Sequence, residues 1–304
     1  MLSSLRTRHL EVLLAVAESG SMQRAAQRIR LTQPAISKLI GEVEAIFGTA
    51  LFERSKRGVT LTESGQALVE RAQFLINDLE HTKEEIAAID SGTLGRLRIG
   101  ALPVVESSIL PQSLLALRKE APALRIQIEE GTRSSLLASL RRGELDCVIG
   151  RLEVSAEEAE LYCEKLLRLP VLIVASPRHP LVLQKKRITL AALAGYPWVL
   201  PRIGAPIRTV VDSLFVSAGL IAPMPLIEST SIRLNYELVR TSEMIGVMSE
   251  AAATTYAAQR RLAILPVDLG GHLPYVGVMM RQPGMSKAMA LFLRILREQC
   301  SAMA

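Results

Sequence analysis

The chain is poor in aromatic residues and in cysteine. Aromatics make up 4% of its 304 residues, with a single tryptophan, so its cores must be built mainly from aliphatic side chains. The three cysteines, Cys147, Cys163 and Cys300, show no CxxC and no metal-ligand spacing. Cys147 falls in the strand-like run Leu145-Asp146-Cys147-Val148-Ile149, where a core thiol is expected, the lesser alternative being a redox-sensing pair. The histidines His9, His81, His179 and His272 are scattered, and there is no G-x-S-x-G elbow or phosphate-cradling glycine loop. No catalysis, metal or other cofactor is therefore expected. No apolar run approaches the length that spans a bilayer, and the first residues lack a signal-peptide shape because Glu11 and Glu18 break them. These absences place the chain in the cytoplasm, reduced.

The stretch Ser21 to Gly48 reads as two short helices joined by a tight turn. Ser21 is placed to cap the first, and Ala25 and Ala26 allow close helix packing. Thr32 is placed to cap the second, with Pro34 in its first turn, where a missing N–H costs little. Ile36, Leu39, Ile40, Val43 and Ile46 recur at helical spacing and give one buried face. The opposite face carries Gln33, Ser37 and Lys38, with Gly41 one turn on. Hydrogen-bonding side chains at the exposed start of a second helix are what major-groove reading requires. The alternative is an ordinary helical hairpin with a polar outer face.

The next segment favours the first reading. Leu51 to Thr62 reads as a β-hairpin whose basic turn would put Arg54, Lys56 and Arg57 beside a phosphate backbone. Residues 1–62 hold nine Lys or Arg and five Asp or Glu, a balance of +4 in a chain carrying +6. Most of the positive charge therefore sits on this head.

A long helix is expected from Thr62 to about Asp90. Ala72, Leu79 and Ile86 share one heptad position, and Leu68, Leu75, Thr82 and Ile89 another. Such a thin seam suits pairing with a second copy better than packing on the chain's own following domain. Ser91-Gly92-Thr93-Leu94-Gly95 is the best hinge. Strands are then expected at Arg96–Ala101, Leu124–Glu129 and Leu145–Gly150, with helices at Pro111–Glu120 and Arg133–Arg142 between them. That βαβαβ order implies a parallel sheet. A second α/β unit starts near Pro170, and the chain returns through Tyr275–Met280 and a closing helix at Ser286–Cys300. The fold class is α/β with an all-α, winged N-terminal domain: 1–62 the winged helix-turn-helix, 63–91 the linker helix, 92–304 a two-lobed domain. Lobe I spans about 95–163 and 269–304, and lobe II about 164–268. Two such lobes enclose a cleft suited to a small molecule. Its helix starts supply Pro103, Val104, Thr132, Ser134, Pro201, Arg202, Ile207, Arg208 and Thr230 as candidate ligand contacts. Free N–H groups and the helix dipole there favour a carboxylate. Arg202 or Arg208 would pair with it, the alternative for each being a surface ion pair.

These residues resemble the LysR-type transcriptional regulators. The likeness rests on Ala25-Ala26, Thr32-Gln33-Pro34-Ala35-Ile36-Ser37, Leu51-Phe52-Glu53-Arg54, Thr62 to Gly65, Gly143-Glu144-Leu145-Asp146 and Gly150-Arg151-Leu152. It covers essentially the whole chain. Ile99 to Pro103 and Ile264-Leu265-Pro266-Val267 look most like the branch with regulators of protocatechuate catabolism and of a sugar-binding protein. The resemblance implies an effector domain with the fold of type 2 periplasmic binding proteins. It also implies a dimer of dimers on promoter DNA, and a metabolite that alters DNA bending or contact with RNA polymerase. Thr132 matches a hydroxyl that commonly contacts the effector. Val104 departs from the Ser or Thr frequent in relatives binding aromatic acids. A transport-type binding protein would need an export signal and no basic wing, and a DNA-packaging protein would leave two hundred residues idle.

Overall fold

The computed structural model describes residues 4–55, 58–90, 92–106, 108–152, 161–184, 187–267, 275–281 and 285–303. The head packs α1 (Thr7–Ser19), α2 (Met22–Arg28) and α3 (Gln33–Phe47) around one aliphatic core. The Ser21 hydroxyl accepts the Arg24 N–H and that of Thr32 the Ala35 N–H, each at 3.4 Å, so both expected caps are present. Ile36, Ile40 and Val43 are buried, and Leu39 and Ile46 half-buried, as the periodicity required. Gly48, at φ 69°, ends α3, and its N–H bonds back to Glu44. The Glu44 carboxylate in turn accepts the Leu51 N–H at 2.9 Å, which fixes where the wing begins.

The wing is the antiparallel pair β1 (Phe52–Ser55) and β2 (Gly58–Leu61), with Phe52 opposite Leu61. Thr62 then starts α4 (Glu63–Asp90), its hydroxyl accepting the Gly65 N–H and donating to the Ala50 carbonyl. The helix packs in part on its own chain, and part of its seam stays uncovered. One polar side docks on the following domain: Asn77 donates to the Arg142 carbonyl at 2.7 Å, and Glu84 receives Arg98 at 2.6 Å and Arg96 at 3.3 Å. The upper end of the seam, Leu68 and Ala72, packs on the head. Leu75, Leu79, Ile86 and Ile89, lower down, remain 45–69% exposed in the single chain.

Lobe I comprises β3 (Arg96–Ala101), α5 (Pro103–Glu106), α6 (Ile109–Glu120), β4 (Arg125–Glu130), α7 (Arg133–Arg141), β5 (Cys147–Arg151) and β6 (Tyr162–Leu167). Lobe II follows with β7 (Val171–Ala175), α8 (Pro180–Leu183), α9 (Leu190–Ala194), β8 (Val199–Leu200), α10 (Pro206–Ser217), β9 (Ile227–Glu228), α11 (Ile232–Thr241), β10 (Gly246–Ser249), α12 (Glu250–Ala258) and β11 (Ala263–Ile264). The chain returns to lobe I as β12 (Val276–Met280) and α13 (Lys287–Met303).

The first sheet has the order β4-β3-β5-β12-β6. Its β4-β3-β5 half is parallel, but β12 runs antiparallel to both β5 and β6, so the sheet is mixed and not all-parallel. Because β6 belongs to this sheet, lobe I reaches Leu167, past the boundary expected near 163. In lobe II, β10 and β11 flank β7 antiparallel, and β8 pairs parallel with β9. Trp198 is fully buried there, edge-on to Phe215, and donates to the Leu193 carbonyl at 3.0 Å. Among the described residues no helix is long and apolar enough to cross a membrane.

Candidate functional site

Two surfaces carry the chemistry. On the head, α3 turns an exposed stripe outward: Gln33, Pro34, Lys38, Gly41, Glu42 and Ala45 are all exposed, and Ser37 is half-buried beside them. Lys38 is 79% exposed, and among the described residues it reaches only Glu42, at 3.9 Å. A lysine held this weakly remains available to an external acceptor. Of the wing cations, Arg54 enters only through its backbone in β1, and Lys56 and Arg57 lie outside the described residues.

The second surface is the cleft where the chain crosses between lobes, a cavity of about 280 Å³. Pro103, Val104, Pro201, Ile207 and Thr230 line it, as the sequence suggested. Thr132 and Ser134 do not. Both are exposed, and the Thr132 hydroxyl is engaged in capping α7 through the Ser135 N–H at 3.2 Å. Arg202 is also exposed, and is not among the lining residues. Arg208 is buried but turned away: its guanidinium bonds Asp212 at 2.8 Å and lies 3.7 Å from Glu228. The i,i+4 spacing of Arg208 and Asp212 was the available signal that this arginine is held within its own helix.

The cations of the cleft are instead Arg133 and Arg151. Arg133 directly follows the cap of α7 and donates to the Arg151 carbonyl at 2.5 Å. Arg151 ends β5, and its guanidinium donates to the Leu169 carbonyl at 2.9 Å, bracing the first crossing between the lobes. Burial lowers its pKa to about 10, still high enough to keep it charged at neutral pH. Among the described residues the rest of the lining is uncharged, mostly aliphatic with Ser229, Thr230, Asn235 and Ser249 among it. The starts of α10, α11 and α12 face the same space through Ala205, Pro206, Ile207, Thr230, Ile232 and Ser249. Neither Ala205 nor Ser249 caps its helix with a side chain, so dipole and backbone N–H groups add positive potential. A larger hollow of about 730 Å³ lies between α4 and lobe I. Acidic and basic residues line it together, including the Arg142–Glu144 pair, so it favours no charged ligand.

A winged helix-turn-helix on a long helix, followed by a two-lobed domain with a cationic cleft, defines a ligand-responsive DNA-binding protein. The chain belongs to the LysR family of transcriptional regulators. The LysR substrate binding domain matches residues 90–301, and the lysR-family bacterial regulatory helix-turn-helix matches residues 7–66. The HTH-type transcriptional regulator GalR of Pseudomonas putida is 30% identical over 97% of this chain and 75% of its own length. The regulator PcaQ of Agrobacterium fabrum is 31% identical over 97% of this chain and 94% of its own. In fold, the chain superposes on full-length CbnR complexed with its target DNA with a TM-score of 0.70, at 22% identity. That superposition covers 97% of this chain and 100% of CbnR. The protein is a DNA-binding transcriptional regulator with an effector-binding domain, and not an enzyme.

Proposed function

We propose that the effector is a small organic acid with a compact aliphatic body. The observation that carries this reading is that two arginines, Arg133 and Arg151, both line the cleft. Guanidinium groups match carboxylates in charge and in donor geometry. The three helix starts on the opposite wall would hold any further polar groups, while Leu102, Val104, Val171 and Ile232 cover the carbon skeleton. Because the ligand touches both lobes, it favours whichever lobe arrangement it fits better, and shifts that balance only by its differential affinity. The head reads promoter DNA with Gln33, Pro34, Ser37 and Lys38, and the wing cations Arg54, Lys56 and Arg57 hold the backbone. The uncovered seam of α4 pairs two copies, and dimers pair again into a tetramer whose shape sets DNA bending or polymerase contact. Sedimentation measures that assembly directly.

Thermal-shift screening of carboxylates, phosphates and neutral sugars tests the ligand class. An acid at a hundredfold excess over its Kd adds about 2.7 kcal/mol. For a domain of this size that raises the melting temperature by roughly 5–10 °C. Arg133→Ala should abolish the rise while leaving the unliganded melt close to wild type. If only uncharged compounds stabilise the protein, the acid reading is wrong.

A further inference from the structure

The recognition surface contains a glycine with no reason inside the chain. Most other described glycines are required locally, Gly195 at a helix end being an exception. Gly48, Gly92 and Gly204 adopt positive φ, and at Gly65, Gly150 and Gly277 a Cβ would lie within 2.3 Å of a neighbouring atom. Gly41 shows neither feature. It sits in the middle of α3, outside the left-handed region, and a Cβ there would meet nothing within 4 Å. Only proline forms a helix less readily, so the residue weakens α3 without any gain in packing. It lies on the exposed stripe, one turn beyond Lys38 and one before Ala45, which is also small. The α-helix and the major groove have nearly the same width, so missing side-chain atoms on that stripe translate directly into closer approach.

Beside it is a carboxylate on a surface that meets a polyanion. Glu42 is held from behind by a buried histidine of another helix. The His9 Nδ1 accepts the Arg6 N–H at 3.0 Å, which leaves the proton on Nε2, and Nε2 donates to Glu42 Oε2 at 3.1 Å. Near phosphates such a carboxylate is repulsive. Facing base edges it is the acceptor suited to the amino group of cytosine.

We propose that base reading extends one turn beyond Lys38. Gly41 admits the duplex, Glu42 accepts a hydrogen bond from a cytosine amine in the major groove, and His9 is the positioning residue that aims Glu42. The proposal rests on α3 being the helix that enters the groove. The test uses the full-length protein and a duplex selected by it from random-sequence pools, with single-base variants and an unrelated duplex for comparison. Gly41→Ala should melt at or above the wild-type temperature, yet bind the selected duplex about tenfold or more weakly, with the unrelated duplex unaffected. Glu42→Gln should lose the preference for cytosine at one position. His9→Ala should lose it too, and His9→Gln, which restores an N–H near the Nε2 position, should recover it.

Lys38→Ala separates the two levels of the argument. If it weakens specific binding while Gly41→Ala binds like wild type, or Glu42→Gln keeps the base preference, the extension fails and α3 keeps its role. If Lys38→Ala also leaves binding unchanged, α3 itself is not the reading helix. A Glu42→Gln protein that binds every duplex more tightly would show that Glu42 only restrains Lys38, and would overturn the proposal.

Discussion

Gly65→Ala is expected to detach the head from the linker helix. A Cβ at this position would sit 2.1 Å from the Leu51 carbonyl oxygen, a backbone atom. The close approach is built in from two sides. Thr62 ties the first turn of α4 to the Ala50 carbonyl, and its N–H bonds the Leu51 carbonyl at 3.0 Å. Neither strand nor helix can yield without losing these bonds. The cost should reach about 3 kcal/mol, the upper end of penalties for overpacking. Calorimetry should show the head melting early or not at all, with the transition of the two-lobed domain unchanged, and gel shifts should show loss of DNA binding. A Gly65→Ala protein that melts and binds like wild type would mean that α4 does not start against the wing as described. The contrast with Gly41 is direct. The same substitution in two helices should have opposite signs, stabilising α3 at Gly41 by roughly 0.5–1 kcal/mol and disrupting the start of α4 at Gly65.

Leu79→Glu should convert the protein to a monomer. Leu75, Leu79, Ile86 and Ile89 are each about half or more exposed along one edge of α4, while the opposite polar side is occupied by Asn77, Glu84 and their partners. Covering such a side chain contributes about 1 kcal/mol. Eight of them in a pair of helices give about 8 kcal/mol, comparable to the cost of association itself, estimated at about 4–15 kcal/mol. A seam so finely balanced does not tolerate a charge in its middle. Sedimentation should show the monomer at concentrations where wild type is fully associated. Affinity for a two-half-site duplex should fall about a hundredfold or more, because joined heads bind with a local concentration that single heads lack. The unliganded melt of the effector domain should not move. A Leu79→Glu protein that stays associated would place the dimer contact elsewhere.

Local rules carried much of the structure. Thr32 and Pro34 mark the start of α3 where it was expected, because caps act on their immediate neighbours. What depended on distant contacts was less visible. The antiparallel direction of β12 is set by its partners β5 and β6, and nothing in Val276–Met280 encodes direction. The strand Tyr162–Leu167 escaped notice because Glu164 and Lys165 break its apolar pattern, although Glu164 is paired with Arg297 of α13. At the cleft, helix starts picked out several residues that line the cavity but not the arginines that do. Arg208 stands at such a start and is neutralised by Asp212, whereas Arg133, between the chosen Thr132 and Ser134, points into the space they leave. Arg151 was not among the candidate ligand contacts, and it both braces the lobes through Leu169 and meets the cleft.

The most direct measurement is footprinting of the full-length protein on DNA upstream of its own gene, with and without an acid that raises its melting temperature. A discrete protected site should appear, and its pattern should change with the acid in wild type but not in Arg133→Ala. Uniform coating of the duplex, or a footprint unmoved by every acid that binds, would contradict a regulator governed from this cleft.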